Sequence, residues 1–478
     1  MHTLCEKRYP LTAFLSFLTI ALFIGPLAFS ADTIPLTEPL TENRPLDVVM
    51  VEGIDRFALR AIEDAKQKRI ANWARDVFES KSPTKAQEYK RQDFAKIIGC
   101  TEQRVHDTQI QTIATIDQSS MVESNSVFAI HHVRWSALNG IDAEGYFLKP
   151  RGKILARVVA IPDADWNPEQ ICGLSESPTR YAADLAAMGC EVLVPTVVNR
   201  GNEYSSNPNI QRFTNLSHRE FIYRQAFELG RHIIGYEVQK VLAAVDIFED
   251  RNKRHGKCPI GVCGVGEGGL LAFYSSAIDT RIDATLVSGY FNQRDNVWQE
   301  PIYRNVWRLL ENFGDAQIAA MIAPRSLMIE VNPNLPIPSE LPDRGRRVAA
   351  PGQITRPDPA LVKQELKLAQ KAWDVFSTQD SLHDGGSGKL RHKILPEESS
   401  QPISSETVLE FIRLLLHDAP AKIPRIIPDY TLKTAVDTSI SANRQKRAIT
   451  QMTAYTQRLL QLSHRTRDAY WNQLDRSS

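Results

Sequence analysis

The sequence predicts an α/β fold with a doubly wound, mostly parallel sheet, together with a helical N-terminal extension and a helical C-terminal tail. Between residues 125 and 417, short apolar runs of strand length alternate with segments of helical periodicity. This alternation is typical of βαβ units, in which helices cover a parallel sheet. Right-handed crossovers then place helices on both faces of the sheet.

The first thirty residues have the pattern of a secretory signal peptide. Lys7 and Arg8 precede an apolar run from Leu11 to Phe29, and small residues form a cleavage site near Ser30-Ala31. We therefore expect export to the periplasm or the extracellular space, with no membrane attachment after cleavage. Because the apolar run approaches the length needed to cross a bilayer, an uncleaved membrane anchor is the alternative.

Residues 31–124 are predicted to form a linker and a helical N-terminal extension. Residues 31–45 are rich in Pro and Thr, which is typical of an extended linker. From Asp47 to Phe94, apolar residues recur at helical spacing, with an interruption at Ser80–Pro83. The extension is therefore expected to contain two helical segments.

The main domain, residues 125–417, contains the strand signals. Strands are predicted, in chain order, at residues 128–135, 145–148, 155–162, 190–194, 259–263, 284–287 and 324–331. Helices are predicted at residues 181–188, 218–249, 270–274, 359–376 and 404–416. Continuous apolar strands such as 155–162 are typical of a sheet that is buried on both faces.

The C-terminal region, residues 418–478, is predicted to be a linker followed by a polar, amphipathic helix. The linker contains three prolines, and the helix carries an apolar stripe formed by Ile449, Met452, Tyr455, Leu459 and Leu462. An apolar stripe needs a surface to cover. The body of the protein, a partner chain and a further domain are the three alternatives for that surface.

One short segment carries most of the functional information. Gly264–Gly269 follows an apolar strand and precedes an apolar helix, which is the context of the G-x-S-x-G nucleophile elbow. In such a turn the central residue is strained and exposes its side chain above the sheet. Here the central residue is Gly266, which has no side chain, so the nucleophile position is vacant.

Three further motifs occur in the same order as in a known superfamily. Arg200–Ser205 is similar to an R-G-x-x-x-S loop, Ala323–Ile329 resembles an A-P-R-P-L-L-I strand, and His383–Gly386 occurs where a loop usually delivers a catalytic histidine. With the elbow, these motifs resemble the α/β-hydrolase superfamily over residues 125–415, near the acetyl xylan esterases and dienelactone hydrolases. The resemblance implies an α/β-hydrolase fold and carboxylic-ester hydrolysis.

The resemblance also implies roles for particular residues. The backbone N–H of Glu267 would be a donor of the oxyanion hole, Glu330 would be the acid, and His383 would be the base, with His392 as its rival. At the other position of the oxyanion hole, Asp163 and Asp165 replace the usual His-Gly. Carboxylates there would repel a developing oxyanion.

Composition excludes several other functions. The 57 basic and 56 acidic residues nearly balance, so the chain has no electrostatic footprint for nucleic acid. We find no metal-site spacing, no dinucleotide fingerprint and no P-loop, and we therefore expect no metal and no cofactor. Five cysteines follow residue 30, so at least one thiol of an exported chain is unpaired. Cys190 and Cys263 lie in apolar strands and are expected in the core.

Three hypotheses for function remain open. The chain could be an exported esterase acting on acetylated polysaccharide through a displaced nucleophile, for which Ser288 is the spare hydroxyl. It could instead bind a carbohydrate or an acyl ester without turnover. Aromatic residues suited to sugar rings lie near strand ends, namely Trp166, Tyr204, Trp298, Tyr303 and Trp307.

Third, it could be a companion to a hydrolase domain with an intact serine elbow. The stretch Arg219–Glu237 resembles a subgroup of long exported proteins in which such a domain follows the first one. The second and third hypotheses are favoured, because no neighbouring group can activate a glycine. On either, the chain is a hydrolase-like protein that is degenerate at its nucleophile position.

Overall fold

The computed structural model describes residues 36–37, 41–114, 116, 119–207, 210–337, 352–379, 388–396, 399, 401–417, 426–432 and 438–474. The predicted signal peptide and His383 lie outside these ranges. Within them, none of the helices combines the length and the apolar composition needed to cross a membrane. The chain divides into two compact units, residues 1–59 and 60–478.

The described part of the first unit contains the start of helix α1 (Leu46–Trp73). Leu46, Met50, Ile54 and Phe57 recur at helical spacing on this segment, and all four side chains are exposed. They form an apolar stripe along one side of the helix.

In the second unit, the end of α1 continues through a π-helical turn (Ala74–Phe78) to helix α2 (Pro83–Ile97). The predicted interruption at Ser80–Pro83 is confirmed, since Pro83 is the first residue of α2. Trp73 and Phe94 are buried in the main core, so this part of the extension belongs to the body of the unit.

A large sheet forms the centre of the second unit. In chain order, the strands of the described residues are β1 (Gln111–Thr112), β2 (Met121–Ser124), β3 (Phe128–Leu138), β4 (Ile141–Pro150), β5 (Ala156–Ile161), β6 (Cys190–Pro195), β7 (Ser206–Asn207), β8 (Arg212–Phe213), β9 (Ile260–Val265), β10 (Ala284–Ser288), β11 (Ser326–Val331) and β12 (Leu390–Ile394). The large sheet has the order β1-β3-β4-β6-β5-β9-β10-β11-β12, with β2 on β3, and β7 pairs only with β8. Strands β6 to β12 of this order are parallel, and β3 and β4 are antiparallel.

Helices cover both faces of the sheet. The remaining helices are α3 (Pro168–Ile171), α4 (Tyr181–Ala187), α5 (His218–Phe227), α6 (Ile233–His255), α7 (Glu267–Ile278), α8 (Leu309–Asn312), α9 (Asp315–Ile322), α10 (Pro359–Gln379), α11 (Ser405–Leu415) and α12 (Thr438–Trp471). One core cluster contains residues of α6, α7, α9 and α10, and a second contains residues of α4 and α11. The predicted doubly wound, mostly parallel α/β fold is therefore confirmed.

The single helix predicted over residues 218–249 is wrong. The segment forms two helices, α5 and α6, because the chain turns between them at Gly230, where φ is +63°. His232 then caps the second helix, since its Nδ1 accepts the Ile234 N–H at 3.1 Å. A capping side chain and a glycine in the left-handed region end one helix and begin another.

The C-terminal helix predicted from the amphipathic pattern is confirmed as α12. Ile449, Met452 and Tyr455 are buried in the main core, so the body of the protein covers this half of the stripe. Leu462 is exposed, and the stripe is therefore covered only in its first half.

Candidate functional site

The turn between β9 and α7 has the geometry of a nucleophile elbow. Gly266 has φ of +55° and ψ of −117°, and its N–H donates to the Ser288 carbonyl at 3.0 Å. The flanking glycines allow close packing of strand and helix, since a Cβ on Gly264 would lie 2.3 Å from the carbonyl of Gly268. The local sequence thus builds the strained turn on which a hydrolase presents its nucleophile.

The carboxylate of Asp163 occupies the space in which a nucleophile side chain would lie. A Cβ placed on Gly266 would lie 2.1 Å from Asp163 Oδ1. The same oxygen accepts the backbone N–H of Glu267 at 2.7 Å. Asp163 therefore fills the vacant position and uses the donor that an oxyanion hole would need.

Arg200 holds this carboxylate in place. Its Nη1 lies 2.9 Å from Asp163 Oδ2 and 2.9 Å from Asp165 Oδ2, and its Nε donates to the Tyr303 hydroxyl at 2.9 Å. Burial disfavours the charged form of Asp163, but Arg200 outweighs it and lowers the pKa of that carboxyl. Burial raises the pKa of Asp165, which lies nearer to solvent.

Glu267 is fully buried among three arginines. Its Oε1 accepts from Arg304 at 2.5 Å and from Arg200 at 3.2 Å, and its Oε2 accepts from Arg219 at 3.3 Å. Burial raises the pKa of Glu267, but the three guanidinium groups outweigh burial and lower it to about 2. The side chain is consequently an acceptor for three cations.

These groups form a set of equal and opposite charges, which we call the elbow cluster and which comprises Asp163, Asp165, Arg200, Arg219, Glu267 and Arg304. Further ion pairs extend it outward. Arg219 binds Glu237 at 2.9 Å, and Arg304 binds Glu300 at 3.1 Å. Buried charges need such partners, because an unpaired charge in a protein interior costs several kcal/mol.

Glu330 and Ser288 lie together but in a different setting. The Ser288 hydroxyl donates to Glu330 Oε1 at 2.7 Å, and both side chains are buried. The other partners of the carboxylate are the Ile403 N–H at 2.8 Å and the Thr407 hydroxyl at 2.7 Å. These contacts join β10 and β11 to the beginning of α11.

His218 and His232 form hydrogen bonds within the protein, and His392 lies on an edge strand. His218 Nδ1 lies 2.5 Å from Asn199 Oδ1, and its Nε2 accepts the Tyr204 N–H at 2.9 Å. Burial lowers the pKa of His218 to about 4. His232 caps α6, and His392 is an exposed residue of β12. Within the described ranges, no His, Cys, Asp and Glu side chains converge as a metal site requires.

A cavity of about 100 Å³ lies directly above the elbow. Gly266, Asp163, Arg200 and Arg304 line it, with Asp165, Trp166 and residues 335–337 and 354–357. This volume is below the range of about 300–1,000 Å³ that small-molecule sites occupy, so the cavity admits one small group of a ligand. Arg304 and the neighbouring Tyr303 belong to a short 3-10 helix (Ile302–Arg304) that sequence reasoning did not connect with the elbow.

Comparison with known proteins gives a general structural likeness. No family model and no curated protein matches the sequence. A Bacteroides fragilis structure assigned to the acetyl xylan esterases has 16% identity and a TM-score of 0.47, and covers 69% of this chain and 87% of that chain. A glucuronoyl esterase from Solibacter usitatus has 12% identity and a TM-score of 0.46, with coverage of 70% and 93%.

An acetyl xylan esterase from Paenibacillus sp. R4 has 14% identity and a TM-score of 0.41, with coverage of 68% of this chain and 93% of that chain. At these TM-scores the likenesses carry no argument about chemistry. The fold assignment therefore rests on the strand order and on the elbow geometry described above.

Proposed function

We propose that this protein is an exported, non-hydrolytic relative of carboxylic-ester hydrolases that binds its ligand without turnover. The position of Asp163 carries the proposal, because one carboxylate fills the nucleophile space and accepts the Glu267 N–H. Ester hydrolysis needs a nucleophile and free donors for the oxyanion. Neither is available while Asp163 lies there.

Glu267 and Ser288 are the other groups near the elbow that could attack an ester, and both form hydrogen bonds within the protein. Both carboxylate oxygens of Glu267 accept from arginines, and its low pKa makes it a weak nucleophile and a weak base. The Ser288 hydroxyl is buried and donates to Glu330. A serine nucleophile must also be reached by its substrate, and the Ser288 side chain has no exposed surface. These contacts argue against the displaced-nucleophile hypothesis.

A carbohydrate or an acyl ester is the ligand class that we propose, with one small group of the ligand held in the elbow cavity. Trp166 and Asp165 line the cavity, and both side chains reach solvent. An indole face packs against a sugar ring, and a carboxylate accepts hydrogen bonds from hydroxyl groups.

A companion role for a serine-elbow hydrolase domain is the second candidate. The observation that favours it is the exposed apolar stripe of Leu46, Met50, Ile54 and Phe57 in the first unit. Exposed apolar patches of this kind mark interaction surfaces. Ile54→Ser is expected to abolish co-elution with such a hydrolase in gel filtration, and unchanged co-elution would remove this candidate.

The test of the main proposal is the hydrolysis of p-nitrophenyl acetate by the wild type and by Gly266→Ser. We expect both to remain at the buffer rate, because a serine Cβ at position 266 would lie 2.1 Å from Asp163 Oδ1. Wild-type turnover that Ser288→Ala abolishes would contradict the proposal and revive the displaced nucleophile.

The free energy of unfolding of Gly266→Ser gives a second test. Gly266→Ser is expected to lose about 1–3 kcal/mol in urea unfolding through overpacking. Gly230→Ser is the matched control, since Gly230 has a similar φ of +63° but a Cβ there would meet nothing within 4 Å. Equal stability of the two variants would mean that Asp163 does not fill the nucleophile space.

A further inference from the structure

We propose that a second site, separate from the elbow cavity, binds the ring faces of a neutral saccharide. It is a groove between the end of α5 and the segment that follows β10. We call it the outer groove, and the lining residues that matter here are Tyr223, Phe227, Trp298, Asn305, Trp307 and Arg308.

Exposure of large aromatic side chains first singles out this groove. Trp307 is 72% exposed, Trp298 47% and Phe227 42%. Exposing indole and phenyl surface to water costs about 25 cal/mol per Å². A single exposed apolar residue needs no explanation, but three aromatic residues around one groove indicate a binding surface.

Three of the aromatic rings pack against one another along the groove. Phe227 and Trp307 have centroids 6.5 Å apart and planes at 80°, and Tyr223 supports Phe227 at 5.8 Å. The groove has a volume of about 490 Å³. This lies within the range of about 300–1,000 Å³ that small-molecule sites occupy.

The charges around the groove are paired, which selects a neutral ligand. Arg308 donates to Glu311 at 2.7 Å, and Glu300 lies within 3.3 Å of Arg294 and 3.1 Å of Arg304. The Asn305 Nδ2 donates two long hydrogen bonds of 3.4 Å to backbone carbonyls, and a ligand hydroxyl can replace one of these acceptors. Flat apolar faces beside hydroxyl groups are the chemistry of a sugar ring.

The groove is independent of the elbow cavity, although one segment borders both. Tyr303 and Arg304 are buried against Arg200 and Glu267, whereas Trp298 and Trp307 face the groove. Saccharide binding there does not require the elbow to be inactive. A folded protein partner would bury about 800 Å² on each side, more than a few aromatic rings provide.

Affinity electrophoresis of the full chain tests the proposal, in native gels that contain arabinoxylan, galactomannan or mixed-linkage β-glucan. We expect at least one polysaccharide to retard the protein, with little change when NaCl is raised, because the ligand is neutral. Trp307→Ala and Trp298→Ala are each expected to weaken the association about tenfold.

Trp471→Ala is the matched control, since Trp471 is an exposed tryptophan of α12 outside the groove. It should leave the retardation unchanged. Retardation that only Trp166→Ala abolishes would assign binding to the elbow cavity, which overturns this inference while supporting the proposed function. Absence of retardation in all three gels overturns it as well.

A proline-rich peptide is the competing occupant, because aromatic grooves also bind polyproline helices. Decaproline is titrated against the tryptophan fluorescence of the full chain. Saturable binding that Trp307→Ala removes, without retardation by any polysaccharide, would overturn the saccharide assignment.

Discussion

Asp163 combines two interactions that a working ester hydrolase must keep apart. Its Oδ1 accepts the Glu267 N–H, and its Oδ2 accepts from Arg200. A substrate oxyanion would need the first donor, and a nucleophile would need the space. The carboxylate thus has the charge and the contacts of a bound oxyanion, but it is covalently part of the protein.

The buried ion pairs of Glu267 can be tested by removing its charge. Glu267→Gln leaves Arg200, Arg219 and Arg304 without their shared partner, and removing one member of a buried ion pair costs about 3–5 kcal/mol. We therefore expect a loss of this size in urea unfolding at pH 7. Glu406→Gln is the control, because Glu406 is an exposed partner of Lys393 and should change stability very little.

The pH dependence of the same variant follows from the pKa of Glu267. The native value of about 2 lies below the reference value of 4.5. The carboxylate therefore contributes stability above about pH 4.5, and this contribution is lost as the pH falls towards 2. The difference in unfolding free energy between the wild type and Glu267→Gln should therefore shrink as the pH falls through this range. A constant difference from pH 7 to pH 2 would contradict the assignment.

Arg444 attaches α12 to the body of the second unit. Arg444 is buried, and its Nη2 donates to Glu169 Oε1 at 2.8 Å and to the Tyr146 hydroxyl at 3.3 Å. Arg444→Met leaves the Glu169 carboxylate buried without its cation, and we expect a loss of about 3–5 kcal/mol in urea unfolding. Arg467→Met, on the exposed end of the same helix, should behave as the wild type. Equal stability of both variants would mean that Arg444 does not hold α12 in place.

Strands that are buried on both faces could be predicted from the sequence, whereas an exposed edge strand could not. Strands such as β5 and β9 are buried on both faces, so their sequences are continuous apolar runs that predict them directly. β12 was missed because its central residues are Arg391, His392 and Lys393, which are polar as edge strands often are. An edge position is a property of the sheet and cannot be derived from five residues.

Burial of cysteines in the core predicts how the native protein reacts with a thiol reagent. All five described cysteines have free thiols, and Cys190 and Cys263 are buried as predicted. Burial raises the pKa of Cys190 to about 12 and that of Cys263 well above the usual value. Native protein at pH 8 should therefore leave both unlabelled by iodoacetamide, while guanidinium exposes them.

Mass spectrometry of the labelled protein checks this expectation. Cys258 is only partly buried and serves as the internal control that the reagent reaches the native protein. Labelling of Cys190 at the rate of Cys258 would show that the α4/α11 face of the molecule opens without global unfolding.

The candidate site was only partly predictable from the sequence. Three glycines at residues 264, 266 and 268 identified the elbow and its vacant position, because local geometry requires them. The sequence also indicated that carboxylates near position 163 oppose catalysis. It could not indicate that Arg200, Arg219 and Arg304 meet at Glu267, since they come from three separate segments of the chain.

The arrangement at Asp163 has an evolutionary consequence. One substitution would not place a free serine hydroxyl at this turn, because a Cβ at position 266 would lie 2.1 Å from Asp163 Oδ1. Replacing Asp163 first leaves Arg200 with fewer counter-charges and still supplies no nucleophile. Both mutational orders pass through an intermediate without a free serine hydroxyl, so a serine nucleophile at this turn requires two coordinated substitutions.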